Sequence, residues 1–180
     1  MTLPTLATFT AGSLVLALAG PVAAQSPVTS GSAPTNEGTV TARLTTADGG
    51  DVGRVRFRDM RAGVHIEGDL TDLPPGPHGF HIHETGACTP DFDAAGEHIS
   101  AEGQEHGFAQ TDNPHSGDLP NIWVQDDGTV QVEFITPNLT LDQILDEDGS
   151  AVVVHDTQDT YMDPASAGGR YACGVVEQQS

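Results

Sequence analysis

The sequence predicts an all-β domain, an antiparallel barrel or sandwich, and three observations carry that expectation. Short runs of alternating apolar and polar residues recur along the chain, turn-forming Asp and Gly separate them, and two long stretches lack apolar periodicity. Side chains of a strand point alternately to its two faces, so a period of two marks a strand with one face buried.

At 180 residues the chain is long enough for one ordinary domain and too short for two well-buried ones. Residues 1–24 contain no charged side chain and carry the apolar run Leu14 to Ala19, which reads as a secretory signal peptide. Val22 and Ala24 suit cleavage before Gln25, although no Lys or Arg precedes the apolar run. A buried N-terminal helix is the alternative. The run is too short to span a bilayer permanently, so no stable membrane insertion is expected. No twin Arg is present and no Cys follows to accept a lipid, which leaves a periplasmic or secreted protein. Residues 25–37, rich in Ser, Thr, Pro and Gly, read as a flexible linker to a domain at 38–180.

Within the domain the alternating runs are Val40, Ala42 and Leu44, then Val55 and Phe57, then Val64 and Ile66. Further strands are expected at Val130 to Phe134, Ala151 to His155 and Arg170 to Val176. Asp48-Gly49-Gly50-Asp51 and Asp126-Asp127-Gly128 have the chemistry of hairpin loops. Thr85 to Gly117 and Asp156 to Gly169 have no such pattern, and loops of this length inside a compact domain are functional or disordered. A single hint of helix, one or two turns, lies around Leu141, Ile144 and Leu145.

Six Arg and no Lys stand against 26 acidic residues, a formal charge of −20. Such a surface repels nucleic acid and anionic membrane and excludes both as partners. It suits a halophilic setting, because concentrated salt shortens the Debye length to about 3 Å and screens self-repulsion. Cys88 and Cys173 are the only cysteines, and in an exported chain they are expected to be bonded to each other, with two separate buried thiols as the alternative.

His81 and His83 flank Ile82, so on a strand both rings share one face while Phe80 and Ile82 enter the core. Two His on a solvated strand face would equally serve as polar surface. His98, His106 and His115 follow in the long loop, Asp118 comes three residues later, and His155 ends an apolar strand. Seven potential ligands exceed the four that one tetrahedral zinc takes, which implies two metals.

These residues stand in blocks: Gly76-Pro77-His78-Gly79-Phe80-His81-Ile82-His83-Glu84, Ala95-Gly96-Glu97-His98, Glu105-His106-Gly107, His115-Ser116-Gly117-Asp118-Leu119, Val153-Val154-His155 and Gly169-Arg170-Tyr171-Ala172-Cys173-Gly174-Val175. In order and spacing they resemble the copper/zinc superoxide dismutases, bacterial secreted type, over residues 38 to 177. The resemblance implies a Greek-key antiparallel barrel or sandwich of eight strands with two long functional loops. It implies copper on His81, His83, His98 and His155, and zinc on His98, His106, His115 and Asp118, with His98 shared through its two nitrogens. It further implies that Asp159 orients ligands of both metals, that Arg170 receives the anion beside copper, and that His98 exchanges a proton during disproportionation of superoxide to dioxygen and hydrogen peroxide. The function is then antioxidant defence outside the cytoplasm. A non-catalytic domain that binds or delivers copper or zinc is the alternative.

The chain departs from the family in two places. Ile99-Ser100-Ala101 replaces the usual aromatic-Asn-Pro after the bridging histidine, which questions the packing of that loop. The segment from Asp156 to Gly169 is shorter than in the family's animal members and lacks Lys, which removes cations that would focus an anion. His65 and His78 are not ligands in the resemblance; His65 is expected on the surface and His78 as a brace for the turn before the metal strand. Trp123 fits an anchor for a homodimer or a half-buried core side chain, and the sequence does not name a copper donor.

Overall fold

The computed structural model describes residues 39–179. The predicted signal peptide, and all of the linker that precedes the domain, lie outside the described residues.

Nine strands occur among the described residues: β1 (Thr39–Thr46), β2 (Asp51–Met60), β3 (Gly63–Leu70), β4 (Gly76–His78), β5 (Phe80–His83), β6 (Ile122–Val124), β7 (Val130–Thr136), β8 (Ala151–His155) and β9 (Arg170–Gln179). Seven form one sheet in the order β5-β8-β9-β1-β2-β3-β7, and β4 pairs with β6; every pairing is antiparallel. The pairs β3 with β7 and β5 with β8 join strands distant in sequence, the long returns of a Greek key. β4 and β5 are one segment interrupted at Gly79, bonded to β6 at its start and to β8 at its end. Counted as one, they give the eight strands expected. The break needs glycine, since a Cβ there would lie 2.9 Å from the Ala167 methyl. The β6–β7 hairpin, closed by Gln125 N–H to the Thr129 carbonyl at 2.9 Å, brings the two sheets together.

The alternating residues meet in one core. Val40, Ala42, Leu44, Val55, Phe57, Val64 and Ile66 pack with Phe80, Ile82, Val152 and Val154, all buried. Phe80 also meets Phe134 edge to face with centroids 6.3 Å apart. Burying one such side chain contributes roughly 1.5–3 kcal/mol, and the core thereby fixes β5 and β8, the strands that carry His81, His83 and His155.

The helical hint is α1 (Leu141–Ile144), opened by a capping box between Thr140 and Gln143. Short 3-10 turns at Phe92–Ala95 and Pro164–Ala167, each capped by an Asp and closed by a Gly, were not legible beforehand. Cys88 and Cys173 are disulfide-bonded with Cα atoms 5.9 Å apart, which ties the β5–β6 loop to β9 and removes the reading as separate thiols. Trp123 is 58% exposed on β6, so it is not a core side chain. Among the described residues no helix is long and apolar enough to cross a membrane.

Candidate metal centre

β5 delivers His81 and His83 to one face while Phe80 and Ile82 enter the core, as the period of two requires. One edge of β5 pairs with β8; along the other runs the β5–β6 loop, with Ile82 N–H bonded to the Gly117 carbonyl and Ile99 N–H to the Ile82 carbonyl, both at 2.9 Å. A Cβ at Gly117 would fall 2.2 Å from the Ile82 oxygen, so only glycine allows this approach. The stitching places His98 beside His83 and Asp118 beside His81. Ile99 is buried and its carbonyl accepts from Gly117 N–H at 2.8 Å, so the exchange of the family's aromatic-Asn-Pro leaves this packing intact.

Two groups result. Ring nitrogens of His81, His83, His98 and His155 lie within 4.8 Å of one another, and so do donor atoms of His98, His106, His115 and Asp118. His98 belongs to both. In the second group the Oδ1 of Asp118 has the Nδ1 atoms of His98, His106 and His115 around it at 2.7, 3.2 and 3.6 Å. Only the His98 contact has hydrogen-bond geometry, and Nδ1 of His106 and of His115 are buried without a partner. In the first group Nε2 of His83 and of His155 face each other at 3.4 Å, and Nδ1 of His81 is buried without a partner. Orphaned imidazole nitrogens converging on one point are costly unless a further atom joins them. Three nitrogens with a carboxylate oxygen fit tetrahedral zinc, and four imidazoles fit copper.

The second nitrogens of His81, His83 and His106 are held from behind, which fixes the orientation of those rings. Asp159 takes Nε2 of His81 on Oδ2 at 3.0 Å and Nε2 of His106 on Oδ1 at 3.2 Å. It therefore touches a ring of each group. His83 donates from Nδ1 to the Gly96 carbonyl at 2.9 Å. His78 is a stronger brace than a turn alone needs, because its buried ring meets the Pro74 carbonyl at 2.7 Å and the backbone carbonyl of His155 at 2.8 Å. His65 is only 13% exposed at its side chain, more covered than a surface position, with Nε2 3.3 Å from Glu133.

Arg170 opens β9 directly opposite His155. Its guanidinium donates to the carbonyls of Phe92 at 2.6 Å and Gly96 at 2.7 Å, with Asp93 only at 3.8 Å. Gly96 thus positions both Arg170 and His83, a role that no side chain announces in the sequence. The fork is fixed by backbone, and the disulfide three residues on anchors the same loop.

Burial sets the protonation of the first group. It lowers His155 to about 3 and His81 to about 4, the latter despite the opposing bond to Asp159, and takes His83 well below the usual imidazole value. Those rings are neutral at neutral pH, the form in which an imidazole can ligate a metal. In the second group the Asp118 carboxylate raises His106 against partial burial, while burial lowers His115. Burial would raise Asp118 and Asp159, but polar neighbours prevail and hold both well below the usual carboxylate range: the close His106 ring and the hydrogen bonds from His98 and the Gly107 N–H at Asp118, and the hydrogen bonds from His81, the Tyr161 N–H and His106 at Asp159.

Comparison with known proteins agrees with this geometry. The family model described as copper/zinc superoxide dismutase matches residues 52–176. The superoxide dismutase [Cu-Zn] of Caulobacter vibrioides is 40% identical over 147 residues, 76% of this chain and 84% of that protein. Among solved structures, the Cu/Zn superoxide dismutase from Brucella abortus superposes with a TM-score of 0.67 at 30% identity, covering 77% of this chain and 99% of the other. A SOD-like protein from Bacillus subtilis gives a TM-score of 0.68 at 36% identity, covering 75% and 96%.

Proposed function

The chain belongs to the copper/zinc superoxide dismutase family, and from that premise we propose that its two histidine groups hold copper and zinc across His98. Its function is the disproportionation of two superoxide anions and two protons to dioxygen and hydrogen peroxide, with copper and zinc as cofactors.

His81, His83, His98 and His155 would hold copper, and His98, His106, His115 and Asp118 would hold zinc. The observation that carries this assignment is the shared ring: Nδ1 of His98 sits on Asp118, which leaves Nε2 for the strand-borne group. Bound there, copper supplies one-electron exchange with superoxide and zinc a fixed positive charge. Arg170 offers a permanently charged fork opposite His155, aimed by the Phe92 and Gly96 carbonyls, and binds the incoming anion. Whenever its Nε2 is free of the metal, His98 would take a proton from water there and yield it to the peroxide formed from the second superoxide, whose other proton comes from solvent, while its Nδ1 side stays in the loop-borne group. Asp159 keeps the rings of His81 and His106 aligned. The purified protein, loaded with both metals, is expected to contain equal copper and zinc and to consume superoxide catalytically; metal bound without turnover contradicts the reading.

Export to the periplasm or beyond follows from the apolar N-terminal run and from a disulfide, which persists in oxidising compartments. The charge of −20 without Lys supports a salt-adapted protein. Exposed Trp123 is the proposed anchor of a homodimer.

A further inference from the structure

We propose that Tyr161 is a positioning residue for this centre: it clasps the β8–β9 loop to the β5–β6 loop and so fixes the Asp159 carboxylate on His81 and His106. The inference rests on reading the two groups as metal sites.

Tyr161 has φ of 60°, a left-handed conformation shared by only one other non-glycine among the described residues, Asp72. A bulky side chain is strained there and stays only where its surroundings over-determine it. They do so at every group of this residue. The Tyr161 N–H donates to Oδ1 of Asp159 at 2.7 Å, and its carbonyl accepts from Ala109 N–H at 3.1 Å. The hydroxyl accepts from Asn121 N–H at 2.6 Å, and the ring lies on Phe108 with centroids 5.4 Å apart. Gly107, next to His106, admits this closeness, since a Cβ there would fall 2.1 Å from the Tyr161 oxygen.

Asn121 completes the clasp. Its Nδ2 donates to the Asp159 carbonyl at 2.8 Å and its Oδ1 accepts from Asp159 N–H at 2.9 Å. Oδ1 of Asp159 therefore meets Tyr161 N–H, the Ser166 hydroxyl at 3.1 Å and His106, which leaves Oδ2 directed at His81. The left-handed turn aims the N–H, and the tyrosine ring and hydroxyl hold the turn. Tyr161 thus acts on both metal groups through one carboxylate.

The test is a double-mutant cycle on zinc affinity, measured by chelator competition on the metal-free, disulfide-bonded protein, with the visible spectrum of cobalt in the zinc position as a second readout. Tyr161→Ala is expected to weaken zinc about tenfold or more, the usual cost of losing the support behind a ligand, and to shift the cobalt bands. Tyr161→Phe, which keeps the ring, is expected to lose about two- to threefold. In an Asp159→Asn background either change should add little, because the carboxylate through which Tyr161 acts is already altered. Unchanged affinity in Tyr161→Ala, or full additivity with Asp159→Asn, would overturn the proposal. Should Tyr161→Ala not fold, Tyr161→Phe against Asp159→Asn makes the same decision. A parent protein that binds neither zinc nor cobalt would instead defeat the metal-site reading itself.

Discussion

Three rings of the proposed copper group, His81, His83 and His155, stand on β5 and β8, strands whose every residue is buried. The proposed zinc group, His98, His106, His115 and Asp118, comes entirely from the loop between β5 and β6, and His115 is only half-buried. The core holds the first group, and burial keeps its rings neutral. The second is held by hydrogen bonds to two carboxylates and by a disulfide, so its geometry depends on charge and on loop closure. The same two metals are thus expected to respond differently to mutation, reduction and acid.

The largest effect should come from the one residue the groups share. His98→Ala is expected to lose both metals and to leave no more activity than the metal-free protein, as read by elemental analysis and a superoxide assay. His155→Ala should abolish copper binding and activity while zinc stays; His115→Ala should do the reverse for metal content. Loss of both metals in either single variant would erase the distinction between the groups.

Removing the disulfide comes next. Cys88→Ser opens a link across 85 residues of sequence, and thermal or urea unfolding should show a loss of about 2–5 kcal/mol. Zinc affinity should suffer more than copper affinity, because the bond tethers the loop rather than β5 and β8.

Acid should separate the groups more gently. A ring with a raised value, His106, holds its proton more tightly and makes metal compete with it from near neutral pH downward. Rings lowered to about 4 and about 3, His81 and His155, meet that competition only below those values. Between pH 7 and 5, zinc affinity should fall by up to about tenfold per pH unit while these copper ligands stay neutral; isothermal titration across that range checks it. Copper lost before zinc would contradict the assignment of the two environments.

The smallest effect concerns salt. A net charge of −20 opposes the anionic substrate and Arg170 attracts it locally, so added NaCl should raise kcat/KM or change it by less than about twofold, since screening weakens both contributions. A steep fall would show that focusing at Arg170 dominates.

Much of this was legible in the sequence because it is written in side-chain type and spacing. The alternation at Val40 to Leu44 and Val130 to Phe134 marked strands, and the histidines marked themselves. β4 and β6 escaped notice because three residues cannot display a period, and one of them contains Pro77. The 3-10 turns are equally short. The supports of the site were hidden for another reason. Gly96 acts through a carbonyl and Tyr161 through the N–H of a left-handed turn that its own ring and hydroxyl hold, and no motif or spacing in the sequence marks either.

The shared His98 is the central claim, and magnetic resonance tests it most directly. With copper(II) placed in both groups, an imidazole ring bonded through both nitrogens should couple the two spins, so the ordinary copper signal at low temperature should nearly vanish. Two independent copper(II) signals, integrating to both ions per chain, would contradict the account.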